Sequence, residues 1–444
     1  MVHRAIAAFA AVAVAVQLAA AVVAFRPWMT GDSERYLALA ASLETGQGYG
    51  MDGPGGWEPE GWRQPGYPAF VAACHRLLGP GVAPVLVAQC VLYAASVALA
   101  WRAAHAAFGN RAATLFLVAC AAYPFVAAHS AIFAVEGPCA FLMALALALL
   151  PGLRPWRLAN SGIALGVAGL MRPNLLPLAG VLALAVLLAD RRSWRGAAAL
   201  LAAAALAVAP WAVRNYVVFG VPTPGPPVGG SGCVLWLSSC EAVIPKADLV
   251  AHGPLGGPNP SPEATRMAGQ ARELGRRIGV PPGALWFTLE MFPGNRAKAV
   301  ADRMMRGYAL ANIRAWPRAY LSAAAIRTAR MWFTGAIGLR RFRGWVDLPL
   351  GVEGVLAFVF GVAGAALAVA RLPADPGGRA IVYAVVLSLG FCCATLCWFP
   401  TEARYTIPVR LFLLALAALA VDRLWIAAAR GQSAAVGGGS PARE

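Results

Sequence analysis

Long apolar runs alternate with short polar breaks over most of this chain, and the run lengths decide what the elements are. A helix needs about 20 predominantly apolar residues to cross the hydrocarbon core of a bilayer. Blocks of that order lie near 5–25, 82–104, 112–128, 134–151, 158–171, 174–189, 197–215, 350–370, 380–398 and 406–424, which predicts about ten transmembrane spans. The pair 158–171 and 174–189 is divided by Arg172-Pro173-Asn174, where proline either ends one helix or kinks a longer one. The first block also has the look of a secretory signal, with Arg4 ahead of an apolar run. Its run is longer than a signal core and no small-residue cleavage site precedes Arg26-Pro27-Trp28, so it reads as an uncleaved anchor. Alanine dominates the blocks, which weakens each span but suits close helix–helix contact.

Composition agrees with the pattern. The 444 residues are 59% hydrophobic and 13% charged, about half the charged share of a soluble domain. The fold class expected is an all-α polytopic membrane protein. Lys and Arg in short loops set the orientation. With a cytoplasmic N-terminus, the inside connections hold Arg111, Arg154, Arg157, Arg191, Arg192, Arg195, Arg371, Arg379, Arg423 and Arg430. The short outside connections hold chiefly Arg172 and Arg404. Both termini are therefore expected inside, in a bacterial inner membrane. Two outside segments, 26–81 and 216–349, are too long to be simple connections. The expected organisation is a transmembrane module over 1–215 containing the first outer loop (26–81), a large external region with amphipathic helices over 216–349, transmembrane helices over 350–430, and a disordered Gly/Ser/Ala-rich cytoplasmic tail over 431–444.

The net charge of +17 divides between topology and a basic outer surface. Nucleic acid is not the expected partner of charge on that face; anionic membrane lipids or phosphate-bearing substrates are. Seven of the nine cysteines lie in or beside apolar blocks, where Cys behaves as a small hydrophobe. Cys392, Cys393 and Cys397 have no accompanying His or carboxylate, so no metal site is expected there. Cys233 and Cys240 stand in the external region, where a disulfide is chemically allowed.

Candidate chemistry collects at the outer boundary. From Ser33 to about Thr45, residues Tyr36, Leu39, Ala40 and Leu43 fall on one face of a helix that Gly46 stops. Asp32 occupies its N-cap position, and capping alone would explain an Asp there. Its placement just after the first span, with Arg35 one turn on, suits a general base for a hydroxyl instead; a carboxylate beside a cation stays ionised. A second surface helix is expected over about 67–78. Arg63, among Trp, Tyr and Pro, is either an interfacial anchor or a phosphate ligand beside an aromatic platform. Glu136 is an acid inside the outer end of an apolar span, where carboxylates mark function by default, unless it merely favours the helix dipole. Arg214 beside Tyr216, and Arg404 beside Tyr405, each place a cation and an aromatic at the outer interface. There is no phosphate-binding Gly-rich loop, no His-Glu-x-x-His and no Gly-x-Ser-x-Gly.

These stretches resemble the GT-C superfamily of membrane glycosyltransferases, especially the bacterial family 39-like and aminoarabinose-transferase-like proteins. Asp32-Ser33-Glu34-Arg35-Tyr36 is similar to their Asp-x-x-Arg-Tyr loop, and Gly46-Gln47-Gly48-Tyr49 to the turn after it. Arg63-Gln64-Pro65-Gly66-Tyr67-Pro68 is similar to their basic element before the second surface helix, and Val135-Glu136 to their acidic start of the fourth span. Leu170-Met171-Arg172-Pro173, Pro210–Gly220 and Glu402–Pro408 resemble further segments in the same order. Ser33 departs from the pattern, standing where many members have a second acid, and no large soluble C-terminal domain is present.

The resemblance implies a GT-C-like transmembrane bundle with outer-face amphipathic helices, and inverting transfer of a sugar from a polyprenyl-phosphate carrier to a glycan, lipid or protein acceptor. It implies Asp32 as base, with Arg35 and Tyr36 orienting it. Arg63 and Arg404 would hold the lipid phosphate, with Arg214 and Tyr405 beside them as further substrate contacts. Glu136 would position the acceptor, or a divalent cation where one is used; no other cofactor is implied. An Arg-rich amphipathic stretch, roughly Ala297–Arg330, would lie over the cavity. A glycan polymerase or ligase and a secondary transporter are the alternatives; the first would rely on late-loop arginines, the second on midplane acids and paired repeats. The topology predicts that a cysteine introduced near Gly257 is labelled by a membrane-impermeant thiol reagent from outside; labelling confined to the cytoplasmic side would refute it.

Overall fold

The computed structural model describes residues 2–24, 29, 32–53, 56–244, 260–279, 294–333, 347–399 and 403–437. Helices account for nearly all of it. Following the first apolar helix α1 (Val2–Ala24), the first loop carries α2 (Ser33–Glu44), a two-stranded antiparallel hairpin of β1 (Gly50–Gly53) and β2 (Gly56–Pro59), and α3 (Gly66–Leu78). Both surface helices thus stand where the periodicity puts them. Next come α4 (Val82–Ala122), α5 (Phe125–Ser130), α6 (Glu136–Ala148), α7 (Pro155–Met171), α8 (Leu178–Ala189) and α9 (Trp194–Phe219). The 216–349 region supplies α10 (Ser231–Glu241), α11 (Pro262–Ile278), α12 (Gly294–Ala315) and α13 (Pro317–Phe333). Helices α14 (Asp347–Ala370), α15 (Pro376–Leu396) and α16 (Ile407–Gly437) complete the chain.

Among the described residues, five helical segments are long and apolar enough to cross a membrane: Val82–Ala122, Arg191–Phe219, Val352–Ala370, Pro376–Leu396 and Arg404–Arg430. This criterion does not reach the ten spans expected. Part of the difference lies in the shorter apolar helices Glu136–Ala148 and Pro173–Ala189. Another part lies in α4, whose 41 residues would extend about 60 Å as one rod, twice the hydrocarbon thickness. Gly109 breaks it with φ 83° and ψ 176°, at the expected turn before Arg111. Arg172 is extended (φ −139°, ψ 111°), so Arg172-Pro173-Asn174 separates α7 from α8 instead of kinking one helix.

One continuous apolar core runs through α1, α4, α6, α7, α8, α15 and α16. Small residues set its most extensive helix–helix contact, between α7 and α9. A Cβ on Gly162 would stand 2.1 Å from the Leu200 carbonyl oxygen, and one on Gly166 would stand 2.8 Å from that of Ala204. This Gly-x-x-x-Gly face lets two backbones touch where the hydrophobic effect supplies no attraction between helices.

A second, smaller core joins α10, α11 and α12 around Trp236, Met267, Leu274 and Met305. Asp302 of α12 closes it electrostatically. Its buried Oδ1 accepts the backbone N–H of Gly230, Gly232 and Cys233 at 2.7, 2.8 and 3.0 Å, capping α10 from another helix. Cys233 and Cys240 are free thiols buried in this core. They are seven residues apart on one helix, hence about 10 Å apart, beyond the reach of a disulfide. Arg327 of α13 ties this unit to the main bundle, donating to Glu241 at 3.1 Å and to the Cys397 carbonyl at 3.3 Å. Ser238 and Tyr320 hydroxyls both donate to the Trp398 carbonyl, at 2.8 and 2.7 Å. The expected stretch Ala297–Arg330 is therefore two helices broken at Pro317 and latched to the α15–α16 turn.

Gly162→Leu should destabilise the protein by about 1–3 kcal/mol or more through overpacking at α9, seen as a lower Tm in detergent. Gly180→Leu, at a position where a Cβ meets nothing within 4 Å, should be close to neutral.

Candidate active site

The start of α2 is fixed to the start of α6 by Ser33, a buried residue whose hydroxyl donates to the Phe133 carbonyl at 2.9 Å. Serine at the position where the superfamily pattern has an acid is thus a short packing link between two loops. Tyr67 of α3 extends the link. It donates to Gln89 Oε1 at 2.6 Å, and the Gln89 amide donates to the Ser130 and Ile132 carbonyls at 3.0 and 2.7 Å. Tyr67 also packs edge-on against Tyr36 and Phe133. The two acidic helix starts, Asp32 and Glu136, are held at one end of the bundle by this network.

Both acids are paired with arginines. Asp32 occupies the N-cap position of α2 yet makes no capping hydrogen bond. Its Oδ1 accepts Arg63 Nη2 at 3.0 Å, and its Oδ2 lies 3.8 Å from Arg404 Nη1. Glu136 sits in the first turn of α6 with its side chain 1% exposed. Its Oε1 accepts Arg172 Nη2 at 2.9 Å and lies 3.9 Å from Arg404 Nε. Arg63, Asp32, Arg404, Glu136 and Arg172 therefore form one line of alternating charge. Tyrosines face the cations: Arg63 lies 5.2 Å from the Tyr36 ring centre, and Arg172 and Arg404 lie 4.7 and 5.6 Å from that of Tyr405. Burial pushes the Tyr36 hydroxyl up to about 12, so it stays a neutral hydrogen-bonding group.

Arg172 was not among the sequence candidates. Its signal was present: an arginine at a proline break on the side of the membrane that the positive-inside rule leaves poor in Lys and Arg. Burial of Glu136 makes the pair essential, because a buried carboxylate that loses its partner costs about 3–5 kcal/mol.

Arg214 stands apart from this line. Its guanidinium donates to the Glu60 carbonyl at 2.8 Å and to the Tyr49 carbonyl at 3.0 Å, and lies against Trp211, Phe219 and Tyr49. It clamps the ends of the β1–β2 hairpin. Tyr49 continues it by donating to the Gln64 carbonyl at 2.8 Å. Buried Glu60 accepts the backbone N–H of Trp62 and of Arg63, the latter at 3.1 Å, and so orients the segment that presents Arg63. Arg35 lies on the hairpin side of α2, and burial followed by the nearby Arg63 charge lowers its pKa.

A divalent cation does not fit the described residues. No three His, Cys, Asp or Glu side chains converge among them, and the two carboxylates of the line are already flanked by three guanidinium groups. Glu402 lies outside the described residues.

Residues 59–214 match the family described as dolichyl-phosphate-mannose-protein mannosyltransferase, a segment that contains Arg63, Glu136, Arg172 and Arg214. No curated protein matches the chain. Among solved structures, the apo oligosaccharyltransferase of Archaeoglobus fulgidus is 14% identical with a TM-score of 0.53, over 100% of this chain and 52% of that one. Archaeal oligosaccharyltransferase AglB from Archaeoglobus fulgidus, in complex with an inhibitory peptide and a dolichol-phosphate, is 12% identical with a TM-score of 0.52, over 99% and 52%. ArnT from Cupriavidus metallidurans bound to undecaprenyl phosphate is 16% identical with a TM-score of 0.41, over 93% and 77%. The chain spans about half the length of the archaeal structures, and likeness at such identities is likeness of fold. The chain is a helical membrane protein of GT-C-like fold, the superfamily that its motifs resemble, with the mannosyltransferase family's pattern in residues 59–214.

Proposed function

We propose that this protein is an inverting glycosyltransferase that moves a sugar from a polyprenyl-phosphate carrier to an acceptor hydroxyl on the outer face of a bacterial inner membrane. The observation that carries the reading is Asp32: a carboxylate at a helix start that caps nothing and is clamped between Arg63 and Arg404. Support also comes from the family match, whose description names a dolichyl-phosphate sugar donor, and from the archaeal neighbour in complex with a dolichol-phosphate.

The chemistry follows from exposure and charge. Asp32 is 37% exposed on its side chain and Glu136 is 1%, so Asp32 is the acid that an incoming hydroxyl reaches. Asp32 takes the hydroxyl proton as the acceptor oxygen bonds to the anomeric carbon. The bond from that carbon to the phosphate oxygen breaks, and its electron pair leaves with the lipid phosphate. Attack opposite the leaving group inverts the centre. A phosphate is already a good leaving group, so it needs cations rather than a general acid; Arg63 and Arg404 receive the growing charge. Glu136, itself paired with Arg172, holds Arg404 from behind, and Tyr36 and Tyr405 are the platforms under the guanidinium groups.

Asp32→Asn should lower transfer by about 10²–10⁴-fold, the range for loss of a general base, with Tm unchanged; near-normal turnover of a polyprenyl-phosphate sugar would refute the assignment. Arg63→Ala and Arg404→Ala should weaken binding of labelled polyprenyl-phosphate sugar about tenfold or more, each losing a charge-assisted contact of about 1.5–3 kcal/mol. Arg214→Ala separates positioning from binding. It should lower Tm and open residues 49–60 to protease, and Arg214→Lys should not rescue it, since an ammonium cannot span two carbonyls.

A further inference from the structure

Beside the line of ion pairs, a small cavity of about 120 Å³ opens between the β1–β2 hairpin and the first turns of α12. Its polar lining is Arg35, Asp52, Glu58, Glu60, Asn295 and Lys298. Two of these are committed elsewhere: Glu60 to backbone N–H groups and Asn295 to the Pro59 carbonyl at 2.8 Å. Among the described residues, the side chains of Asp52, Glu58 and Lys298 make no hydrogen bond or ion pair, although opposite charges share the cavity. Burial, the largest influence on Lys298, lowers its pKa. Arg35 joins the cavity to the reaction line, one helical turn from Asp32.

We infer that this cavity is the acceptor subsite and that it takes a neutral, polyhydroxylated sugar unit, not an anionic headgroup. The inference rests on the transferase reading of the adjacent line and names the acceptor class for it. Among the described residues, three carboxylates against two cations give the lining a net negative charge, which disfavours phosphate and carboxylate groups. Hydroxyls suit it, because each both donates and accepts: carboxylates of Asp52 and Glu58 accept from O–H, and Lys298 and Arg35 donate to the hydroxyl oxygen. The volume of about 120 Å³ leaves room for one edge of a sugar ring. Metal coordination is a poorer account, since no three ligand side chains converge among the described residues. A sugar edge held here would present a neighbouring hydroxyl to Asp32 across Arg35.

The test uses the full-length protein in nanodiscs and saturation-transfer NMR with two probes, methyl glucoside and its 6-phosphate. The neutral glycoside should bind and the phosphate should bind more weakly. Glu58→Gln and Lys298→Met should each weaken the neutral glycoside about three- to tenfold, the effect of one lost hydrogen bond. Binding of undecaprenyl phosphate, and its loss in Arg63→Ala, reports on the transferase reading and on the folding of both variants. No glycoside binding to the unmodified protein, binding unchanged in both variants, or a preference for the 6-phosphate overturns the acceptor subsite while leaving the donor reading intact. Failure to bind undecaprenyl phosphate removes the donor reading, and the glycoside titration still decides what the cavity holds.

Discussion

A carboxylate buried to 1% exposure at the end of an apolar helix persists only with counter-charge and hydrogen bonds, and Glu136 draws both from distant parts of the chain. Arg172 comes from the break between α7 and α8, and Arg404 from the turn between α15 and α16. Three connections of the bundle are thereby pinned to one point. Arg404 then reaches Asp32 in the first loop, so the pairing of a buried acid also places the exposed one. Loss of Arg172 would act on Asp32 without touching it, through the position of Arg404.

Precision at that point depends on what lies behind it. Backbone approach of α7 and α9 at Gly162 and Gly166 holds the first half of α9 against the bundle, and Arg214 near the other end of that helix holds both ends of the hairpin. Glu60, at the end of the hairpin, orients the backbone of Arg63. The route runs from helix packing to a clamp, from the clamp to a loop, and from the loop to a guanidinium group on Asp32. The α10–α12 unit meets the same loop from the other side through Asn295, and together with α13 it reaches the Arg404 turn through Ser238, Tyr320 and Arg327. A region that the family segment does not cover therefore holds two sides of the site.

What the chain discloses before folding follows the range of each interaction. Run length and helical periodicity are local, so α2, α3 and the apolar helices of the bundle can be read directly, whereas only the extended backbone of Arg172 decides that α7 and α8 are separate. The Asp32, Glu136, Arg63 and Arg404 candidates are legible because a charge at a membrane boundary is costly and so conspicuous. Partners are not legible. Arg214 reads as an interfacial cation, and its two carbonyl acceptors lie 154 and 165 residues away. Arg172 reads as a topological exception until Glu136 is seen beside it. The hairpin is hidden in a Gly- and Pro-rich stretch with no alternation to mark it, and Cys233 and Cys240 suggest a bond that the helix between them forbids.

The charge of the line itself argues for the proposed chemistry. Among the described residues, three arginines, Arg63, Arg172 and Arg404, face two carboxylates, Asp32 and Glu136, so the described groups of the line sum to one positive charge. A sugar joined to a lipid through a phosphodiester carries one negative charge and would neutralise it. As the sugar departs, the lipid phosphate gains a second negative charge while Asp32 gains a proton and loses its own. The excess on the protein rises to two as the charge on the leaving group rises to two. In the proposed reaction the charge on the described groups of the line would stay matched to that of the donor, in a setting where an uncompensated charge costs several kcal/mol.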